Sequence, residues 1–191
     1  MGKGFNHMVD LLELQKSFIL AHLRPGDVAV DCTMGNGNDT AFLSDVVGET
    51  GRVYAFDIQE AALTSTRARL EELGRPQNYT LILASHHRIK EFVKEAPKAV
   101  MFNLGYLPGS GKKQVTTMRE TTMEAVEGAI ELLDHDGILL VAVYPGHEEG
   151  RLEGEMLADY FATLDRHLIC CSCFRIINSP TSPFFYIVEK K

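Results

Sequence analysis

The sequence has no apolar run long enough to cross a membrane. It contains 191 residues, of which 45% are hydrophobic and 24% are charged, and this composition is typical of a globular protein. No stretch approaches the roughly eighteen consecutive apolar residues of a membrane span. The segment Met1-Gly-Lys-Gly-Phe-Asn6 also lacks the apolar core of a signal peptide. We therefore expect a cytoplasmic protein with no membrane partner.

The chain also has no excess of basic residues. The 19 Lys and Arg residues are outnumbered by 26 Asp and Glu, so the formal net charge is −7. A protein that grips many phosphates usually carries a basic face. Either the substrate is small, or a nucleic acid is held through a local patch. The basic residues considered for such a patch are Lys112, Lys113, Arg75, Arg88 and Lys90, although each one alone is more readily a solvated surface charge.

No C-x-x-C motif is present, and this argues against a structural zinc site, which needs four suitably spaced ligands. The four cysteines are Cys32, Cys170, Cys171 and Cys173. We interpret them as buried free thiols in a reducing compartment. His86 and His87 are adjacent, but in an extended segment they would point different ways, and they lack neighbouring acids. We therefore predict no metal site.

One stretch, from Val28 to Thr40, has the order of a buried strand, a loop with two glycines and the start of a helix. In an open α/β sheet, a ligand binds beyond the carboxyl ends of the strands, near the point where the strand order reverses. The loop contains Gly35 and Gly37, but Thr40 replaces the third small residue of the dinucleotide fingerprint G-x-G-x-x-G/A. A dinucleotide stays open as a ligand, with weak support.

Two acids in the same stretch favour a cationic ligand over a phosphate. Asp31 ends the strand and Asp39 opens the helix. A pyrophosphate beside them would be repelled by about 4 kcal/mol per unit charge pair at about 4 Å, whereas the ammonium and sulfonium of S-adenosylmethionine (SAM) would be attracted. An ordinary turn followed by a helix cap at Asp39 is the simpler alternative. The loop residues predicted to bind the cofactor SAM are Asp31, Thr33, Gly35, Asn36, Gly37, Asn38, Asp39 and Thr40.

Further adenosine contacts are predicted after the next two strands. Asp57 ends the second strand, twenty positions after Gly37, where an acid hydrogen-bonds ribose hydroxyls in adenosine-binding α/β folds. Gln59 follows it and is a predicted contact to the ribose or the adenine. The loop after the third strand should pass the adenine, so Ser85 and His86 are also predicted to bind the cofactor.

The acceptor side of the predicted site begins at Asn103, which directly follows the fourth strand. An Asn side-chain carbonyl can accept a hydrogen bond from an amine and leave the nitrogen lone pair aimed outward. Asn103 is therefore predicted to touch both the acceptor and the cofactor, and Tyr106 to pack against the acceptor. His147, in the loop after the fifth strand, is predicted to position the substrate or to accept a proton. A plain loop would account for the same residues.

Strands and helices alternate along the chain, and this predicts an α/β fold. The predicted strands are Val28–Asp31, Arg52–Asp57, Tyr79–Leu83, Ala99–Phe102, Ile138–Tyr144, Leu168–Ile177 and Phe184–Val188. The predicted helices are Met8–Leu23, Asp39–Val47, Glu60–Leu73, Thr117–Leu133 and Glu149–Leu164. The last two strands follow each other directly, so we expect a Rossmann-like, seven-stranded, mostly parallel sheet with the last strand antiparallel and helices on both faces. One domain should span residues 1–191.

The pattern Asp31-x-Thr33-x-Gly35-x-Gly37-x-Asp39-Thr40, followed by Asp57, resembles that of class I SAM-dependent methyltransferases. Together with Asn-Leu-Gly-Tyr-Leu-Pro108 and Tyr-Pro-Gly-His147, it resembles the small bacterial family described as putative rRNA methylases. This chain departs from the Asn-Pro-Pro-Tyr pattern of many amino-group methyltransferases, because Leu-Gly stands between Asn103 and Tyr106 in place of Pro-Pro.

The resemblance implies methylation of the aminomethyl group of 5-aminomethyl-2-thiouridine at the wobble position of tRNA, with SAM as cofactor and the anticodon loop as partner. Methylation of rRNA or of a small amine is the alternative within the same chemistry. A nicotinamide-dependent oxidoreductase and a non-catalytic adenosine-binding assembly protein are the rivals from other classes. The oligomeric state is left open, a homodimer included.

Overall fold

A computed structural model of the chain describes residues 10–104 and 119–191. The strands are β1 (Val28–Asp31), β2 (Arg52–Asp57), β3 (Tyr79–Leu83), β4 (Ala99–Asn103), β5 (Ile138–Val143), β6 (Ile169–Phe174) and β7 (Phe184–Lys190). The helices are α1 (Leu11–His22), α2 (Asn38–Val47), α3 (Glu60–Glu72), α4 (Ile89–Phe92), α5 (Arg119–Leu132) and α6 (Glu148–Thr163), and a 3-10 turn over His86–Arg88 precedes α4.

The strands form one seven-stranded sheet in the order β3-β2-β1-β4-β5-β7-β6. Strands β1 to β5 pair in parallel, and β7 runs antiparallel to both of its neighbours. The predicted mostly parallel sheet with an antiparallel last strand is confirmed. Because β1 pairs with β2 on one side and β4 on the other, the strand order reverses there. The carboxyl ends of β1 and β4 therefore flank the position where a doubly wound sheet binds its ligand.

Side chains alternate between two apolar layers, one on each face of the sheet. On β4, Val100 and Phe102 join a buried cluster with residues of α4, α5 and α6. Ala99 and Met101 join a second cluster with residues of α1 and α2. This is the period-2 pattern of a strand covered by helices on both faces, so the predicted coverage of both faces is confirmed.

Two predictions of local structure were wrong. The segment after β3 was predicted to be an extended loop, but it forms the 3-10 turn and α4, whose four residues are too few to show a helical period. Strand β6 ends at Phe174 and β5 at Val143, because β7, with which both strands pair at these ends, begins at Phe184. Residues 8, 9, 117 and 118 of the predicted helices lie outside the described residues.

The prediction that all the thiols are buried was also wrong. Cys32 is buried under the loop after β1, but Cys170 and Cys171 are half-buried and Cys173 is exposed. The last three lie on β6, which is the edge strand of the sheet. An apolar run on an edge strand is covered less completely than one on a central strand, and composition alone does not distinguish the two.

Within residues 10–104 and 119–191, no helix is both long enough and apolar enough to cross a membrane. The same residues contain no group of three or more His, Cys, Asp or Glu side chains placed to hold a metal ion.

A close contact between α6 and the loop after β5 makes one glycine of α6 essential for packing. A Cβ atom added to Gly150 would overlap the main-chain carbonyl oxygen of Tyr144, whereas one added to Gly146 would meet nothing within 4 Å. We expect Gly150→Ala to lower the free energy of unfolding by roughly 1–3 kcal/mol, the usual cost of overpacking. Gly146→Ala should change it by less than about 1 kcal/mol. Urea unfolding of both variants measures the difference, and equal stability would contradict the tight contact.

Candidate active site

Three polar side chains lie at the carboxyl ends of the adjacent strands β2, β1 and β4. They are Asp57, Asp31 and Asn103. The sequence predicted that these strand ends would meet, and the sheet brings them together at the point where the strand order reverses. Each of the three is tied to the glycine loop between β1 and α2 or to the residues that flank it.

Asp31 organises the glycine loop from below. Its side chain is 1% exposed, and its oxygens accept hydrogen bonds from the main-chain N–H of Thr33 at 3.1 Å and from the hydroxyl of Thr40 at 2.6 Å. Burial and then the nearby carboxylate of Asp39 raise the pKa of Asp31 to about 7. Thr40 is fully buried and its hydroxyl serves Asp31. In this structure both side chains act on the loop, and the charge of Asp31 also acts on what lies above it.

Helix α3 holds the loop from the side through contacts that sequence reasoning missed. The hydroxyl of Thr66 donates to the carbonyl oxygen of Gly35 at 3.1 Å, and Nε of Arg69 donates to that of Asn36 at 2.8 Å. The hydroxyl of Ser65 also donates to the side-chain oxygen of Asn36 at 3.2 Å. The spacing of 65, 66 and 69 places all three on one helical face, and this is the signal that could have found them.

Position 37 requires a glycine because of both its backbone conformation and its close neighbours. Its φ is +77°, and a Cβ added there would lie 2.9 Å from Cα of Thr66. Such an approach forces one partner to move, and a left-handed φ is costly for a residue with a side chain. The second glycine of the motif therefore allows α3 and the loop to approach each other. Asn38, the first residue of α2, is exposed to solvent.

Asp57 links the loop to the start of α3. Its carboxylate accepts from the N–H of Gly35 at 3.1 Å and from that of Gln59 at 2.9 Å. Burial raises its pKa, while these main-chain bonds oppose the shift. The side chain is half-buried, and each carboxylate oxygen has two lone pairs, so it keeps capacity to accept further hydrogen bonds at the surface. Its predicted contact with ribose, and that of Gln59, stay predictions.

Asn103 is anchored between the two strand-end loops. Its main-chain N–H donates to Oγ1 of Thr33 at 2.7 Å, and its Nδ2 donates to the carboxylate of Asp39. Burial raises the pKa of Asp39, while the bond from Asn103 and the charge of Lys16 oppose the shift. With Nδ2 committed to Asp39, the amide orientation is fixed, and Oδ1 is the atom left to accept from a ligand.

Tyr144 is a further residue that sequence reasoning missed, because it was assigned to the end of β5. It lies just beyond that strand, is 37% exposed, and its hydroxyl lies 3.4 Å from Oδ1 of Asn103. Burial of the hydroxyl and the charge of Asp39 raise its pKa, so it is a neutral phenol at pH 7. An aromatic residue that follows a run of β-branched and aliphatic residues gives no separate signal in the sequence.

His86 begins the 3-10 turn that follows β3. It is 8% exposed, its Nδ1 lies 3.1 Å from the carbonyl oxygen of Cys32, and its ring packs edge-on against Phe102 with 5.6 Å between centroids. Burial lowers its pKa to about 4, so it is neutral and Nδ1 carries the proton that Cys32 accepts. Nδ1 of His87 lies 2.9 Å from the hydroxyl of Ser85. Both predicted adenine contacts, Ser85 and His86, stay predictions.

His147 caps helix α6. Its Nδ1 accepts from the N–H of Gly150 at 3.1 Å, and the side chain is exposed. The ring nitrogen free to point outward is therefore Nε2, which carries the proton in the neutral form. Its predicted catalytic role stays a prediction. Tyr106, the third predicted catalytic residue, lies outside the described residues, as do Lys112 and Lys113.

The three described basic residues considered for a patch are each paired with a surface acid. Arg75 pairs with Asp45, Arg88 with Glu91 and Lys90 with Glu131. Exposed pairs of this kind contribute little to stability, and they leave each cation partly neutralised. Arg75 follows α3, whereas Arg88 and Lys90 lie on the 3-10 turn and on α4.

The family described as "Putative rRNA methylase" matches residues 53–190 of this chain. A protein of Arabidopsis thaliana named "tRNA (mnm(5)s(2)U34)-methyltransferase, chloroplastic" is 36% identical over 180 residues. The matched region is 88% of this chain but 65% of that protein, so this chain spans less than two thirds of the relative's length.

Two crystal structures share both sequence and fold with this chain. A putative rRNA-methylase from Clostridium thermocellum is 38% identical with a TM-score of 0.93, covering 97% of this chain and 100% of the other. A putative methyltransferase from Streptococcus mutans in complex with S-adenosylhomocysteine (SAH) is 37% identical with a TM-score of 0.87. It covers the same share of both chains. With a family match over most of its length and this fold, the chain belongs to the putative rRNA methylase family of class I methyltransferases.

Proposed function

We propose that this chain methylates the aminomethyl group of 5-aminomethyl-2-thiouridine at the wobble position of tRNA, with the anticodon loop as its partner. The tRNA substrate is suggested by the name of the Arabidopsis relative. The observation that supports an amine as the methyl acceptor is the fixed amide of Asn103, whose Nδ2 donates to Asp39. The enzyme acts as a single domain in the cytoplasm in this proposal.

SAM is the cofactor of this methyltransferase, as the SAH complex of the Streptococcus mutans neighbour indicates, and the site fits it. The pKa values of Asp31, Asp39 and Asp57 are all raised by burial, with mutual repulsion adding to that of Asp31. A cation above them relieves that repulsion, whereas a pyrophosphate would add to it. The residues that would hold SAM are those of the glycine loop, with Asp57 toward the ribose.

Asn103 is suited to orient the acceptor. Its Oδ1 can accept an N–H of a neutral amine, which directs the nitrogen lone pair away from the amide. When bound, SAM supplies an electrophilic methyl group, so that an N–C bond forms while the C–S bond breaks and its electron pair stays on sulfur. Positioning of this kind can account for roughly 7–11 kcal/mol of a barrier.

The acceptor amine must lose a proton before it attacks. An alkylamine that resembles lysine has a pKa of about 10.4 and is mostly protonated at pH 7. The Nδ1 lone pair of His147 is engaged by the N–H of Gly150, so accepting a proton there would break the cap of α6. Water is therefore favoured over His147 as the proton acceptor, with Tyr106 as the remaining protein group proposed.

Ribosomal RNA is the second candidate substrate. It is favoured by the description of the matching family and by that of the Clostridium thermocellum neighbour. The two candidates share the cofactor and the fold, so only the identity of the methylated nucleoside separates them.

Nucleoside mass analysis of cells that lack this protein tests the proposal directly. Their tRNA should accumulate 5-aminomethyl-2-thiouridine and lose its N-methylated form, while the modified nucleosides of their rRNA stay unchanged. Restoring the protein should restore the methylated nucleoside. Loss of a methylated nucleoside from rRNA alone would favour the second candidate and contradict the first.

SAM affinity should depend on pH through Asp31. The raised pKa, about 7, means that the free protein binds a proton there below pH 7, and a protonated Asp31 attracts a cation less. The affinity should therefore rise with pH from 5.5 toward 7, by at most about tenfold per unit because one proton is released, and then level off. Calorimetry across this range measures the slope. Asp31→Asn should flatten the profile, and an equal slope in that variant would exclude Asp31.

Replacing Asn103 should separate turnover from cofactor binding. We expect Asn103→Ala to lower kcat for tRNA methylation by about 10²-fold, because the amine is no longer held in line. The affinity for SAH should stay within a few-fold. The transfer of labelled methyl groups to tRNA from cells that lack the protein measures kcat. Calorimetry measures the affinity for SAH. Unchanged turnover would remove Asn103 from the mechanism.

A further inference from the structure

A cleft of about 450 Å³ opens beside Tyr144, between the start of α1, the end of β5 and the loop that leads into β7. Its lining includes Leu12, Gln15, Tyr144, Ile176, Ser182 and Pro183. Because β7 begins opposite the end of β5, with Phe184 in register with Val143, this cleft lies at the same edge of the sheet as Asp31 and Asp57. Its size falls in the range of small-molecule sites.

Gln15 is the unusual residue of this lining. It is 4% exposed, yet its side-chain amide has no hydrogen bond to any residue in the described part of the chain. The amide group itself is not fully buried, so it is open to the cleft, where a ligand can supply both a donor and an acceptor in place of water.

The rest of the lining is suited to a flat, partly apolar group. Tyr144 presents an exposed aromatic side chain, and Leu12 is 54% exposed. Large apolar side chains left at the surface in one place mark a binding surface more often than a neutral one. The lining described has no basic side chain, and Asp10 at the rim uses its carboxylate to cap α1. The interior of the cleft is therefore unsuited to a phosphate.

We propose that this cleft, here called the acceptor cleft, holds the base of the target nucleotide, stacked on Tyr144 and hydrogen-bonded along its N3–C4 edge to Gln15. The inference rests on the proposed function, from which the uracil-type base follows. An amide pairs with adjacent N–H and C=O groups by accepting from one and donating to the other. Single-stranded bases are read in this way, by stacking on aromatic side chains and by bonds to their edges.

This placement also connects the base to the chemistry. The substituent that would receive the methyl group is on C5, next to the C4 carbonyl and clear of the N3 edge. The hydroxyl of Tyr144 lies 3.4 Å from Oδ1 of Asn103, so one residue contacts both the cleft and the group proposed to orient the amine. Gln15 and Tyr144 act as positioning and specificity residues.

Steady-state kinetics of Gln15→Met test the role of the amide. The change keeps the length of the side chain and removes both hydrogen-bonding groups, so KM for tRNA carrying 5-aminomethyl-2-thiouridine should rise tenfold or more. SAH affinity should stay constant, and Tm should stay level, because the change removes no hydrogen bond to a described residue. The matched control is Gln77→Met, the same change at an exposed position near the start of β3, which should leave KM unchanged. An unchanged KM in Gln15→Met overturns the inference.

Nuclear magnetic resonance of the SAH-bound full chain gives a second readout that needs no catalysis. The side-chain NH₂ signals of Gln15 should shift when uridine is added, but not with 3-methyluridine, whose N3 donor is blocked. Tyr144→Leu should abolish the shift, and Tyr144→Phe, which keeps the ring, should retain it. No shift with uridine overturns the inference even if tRNA is methylated. A shift in a protein that does not methylate tRNA sustains the acceptor cleft and refutes the proposed function instead.

Discussion

The buried carboxylate of Asp31 determines how the site is assembled. Two donors, the N–H of Thr33 and the hydroxyl of Thr40, hold it at the end of β1. Thr33 in turn accepts from the main chain of Asn103 at the end of β4. One acid thus aligns the loops that follow two neighbouring strands, across the position where the strand order reverses. Burying a charge in this way is costly, and the cost is visible in the raised pKa of Asp31.

The three raised carboxyl pKa values share one physical cause, which is burial, and a bound cation would oppose all three shifts. Asp31, Asp39 and Asp57 are each withdrawn from water, and the described basic residue whose charge lowers one of their pKa values is Lys16, acting on Asp39. A folded protein with such a site is less stable without its ligand than one with a neutral site would be. Binding a cation offsets this loss of stability. Three acids of this chain of net charge −7 are thus gathered at the edge of the sheet where we propose that the cofactor binds.

The parts of the fold and site that sequence could predict are those encoded locally. Strands β1 to β5 are short apolar runs bounded by turn residues, and Asp31, Asp57 and Asn103 stand at their ends, so both the sheet and these strand-end residues followed from the pattern. The clamp formed by Thr66 and Arg69 could not be predicted, because it joins a helix to carbonyl groups about thirty residues away. Tyr144 was concealed by the apolar run before it, and Gln15 by the apolar face of α1.

The position of β7 has a consequence for how the polypeptide is made. Strand β5, buried at all six positions, pairs with β4 on one side and with β7 on the other, yet β7 is the last of these strands to leave the ribosome. Until it does, a fully apolar strand has an open edge that another chain could pair with. A nascent or truncated chain that ends before Phe184 would therefore be prone to aggregate and would depend on chaperones.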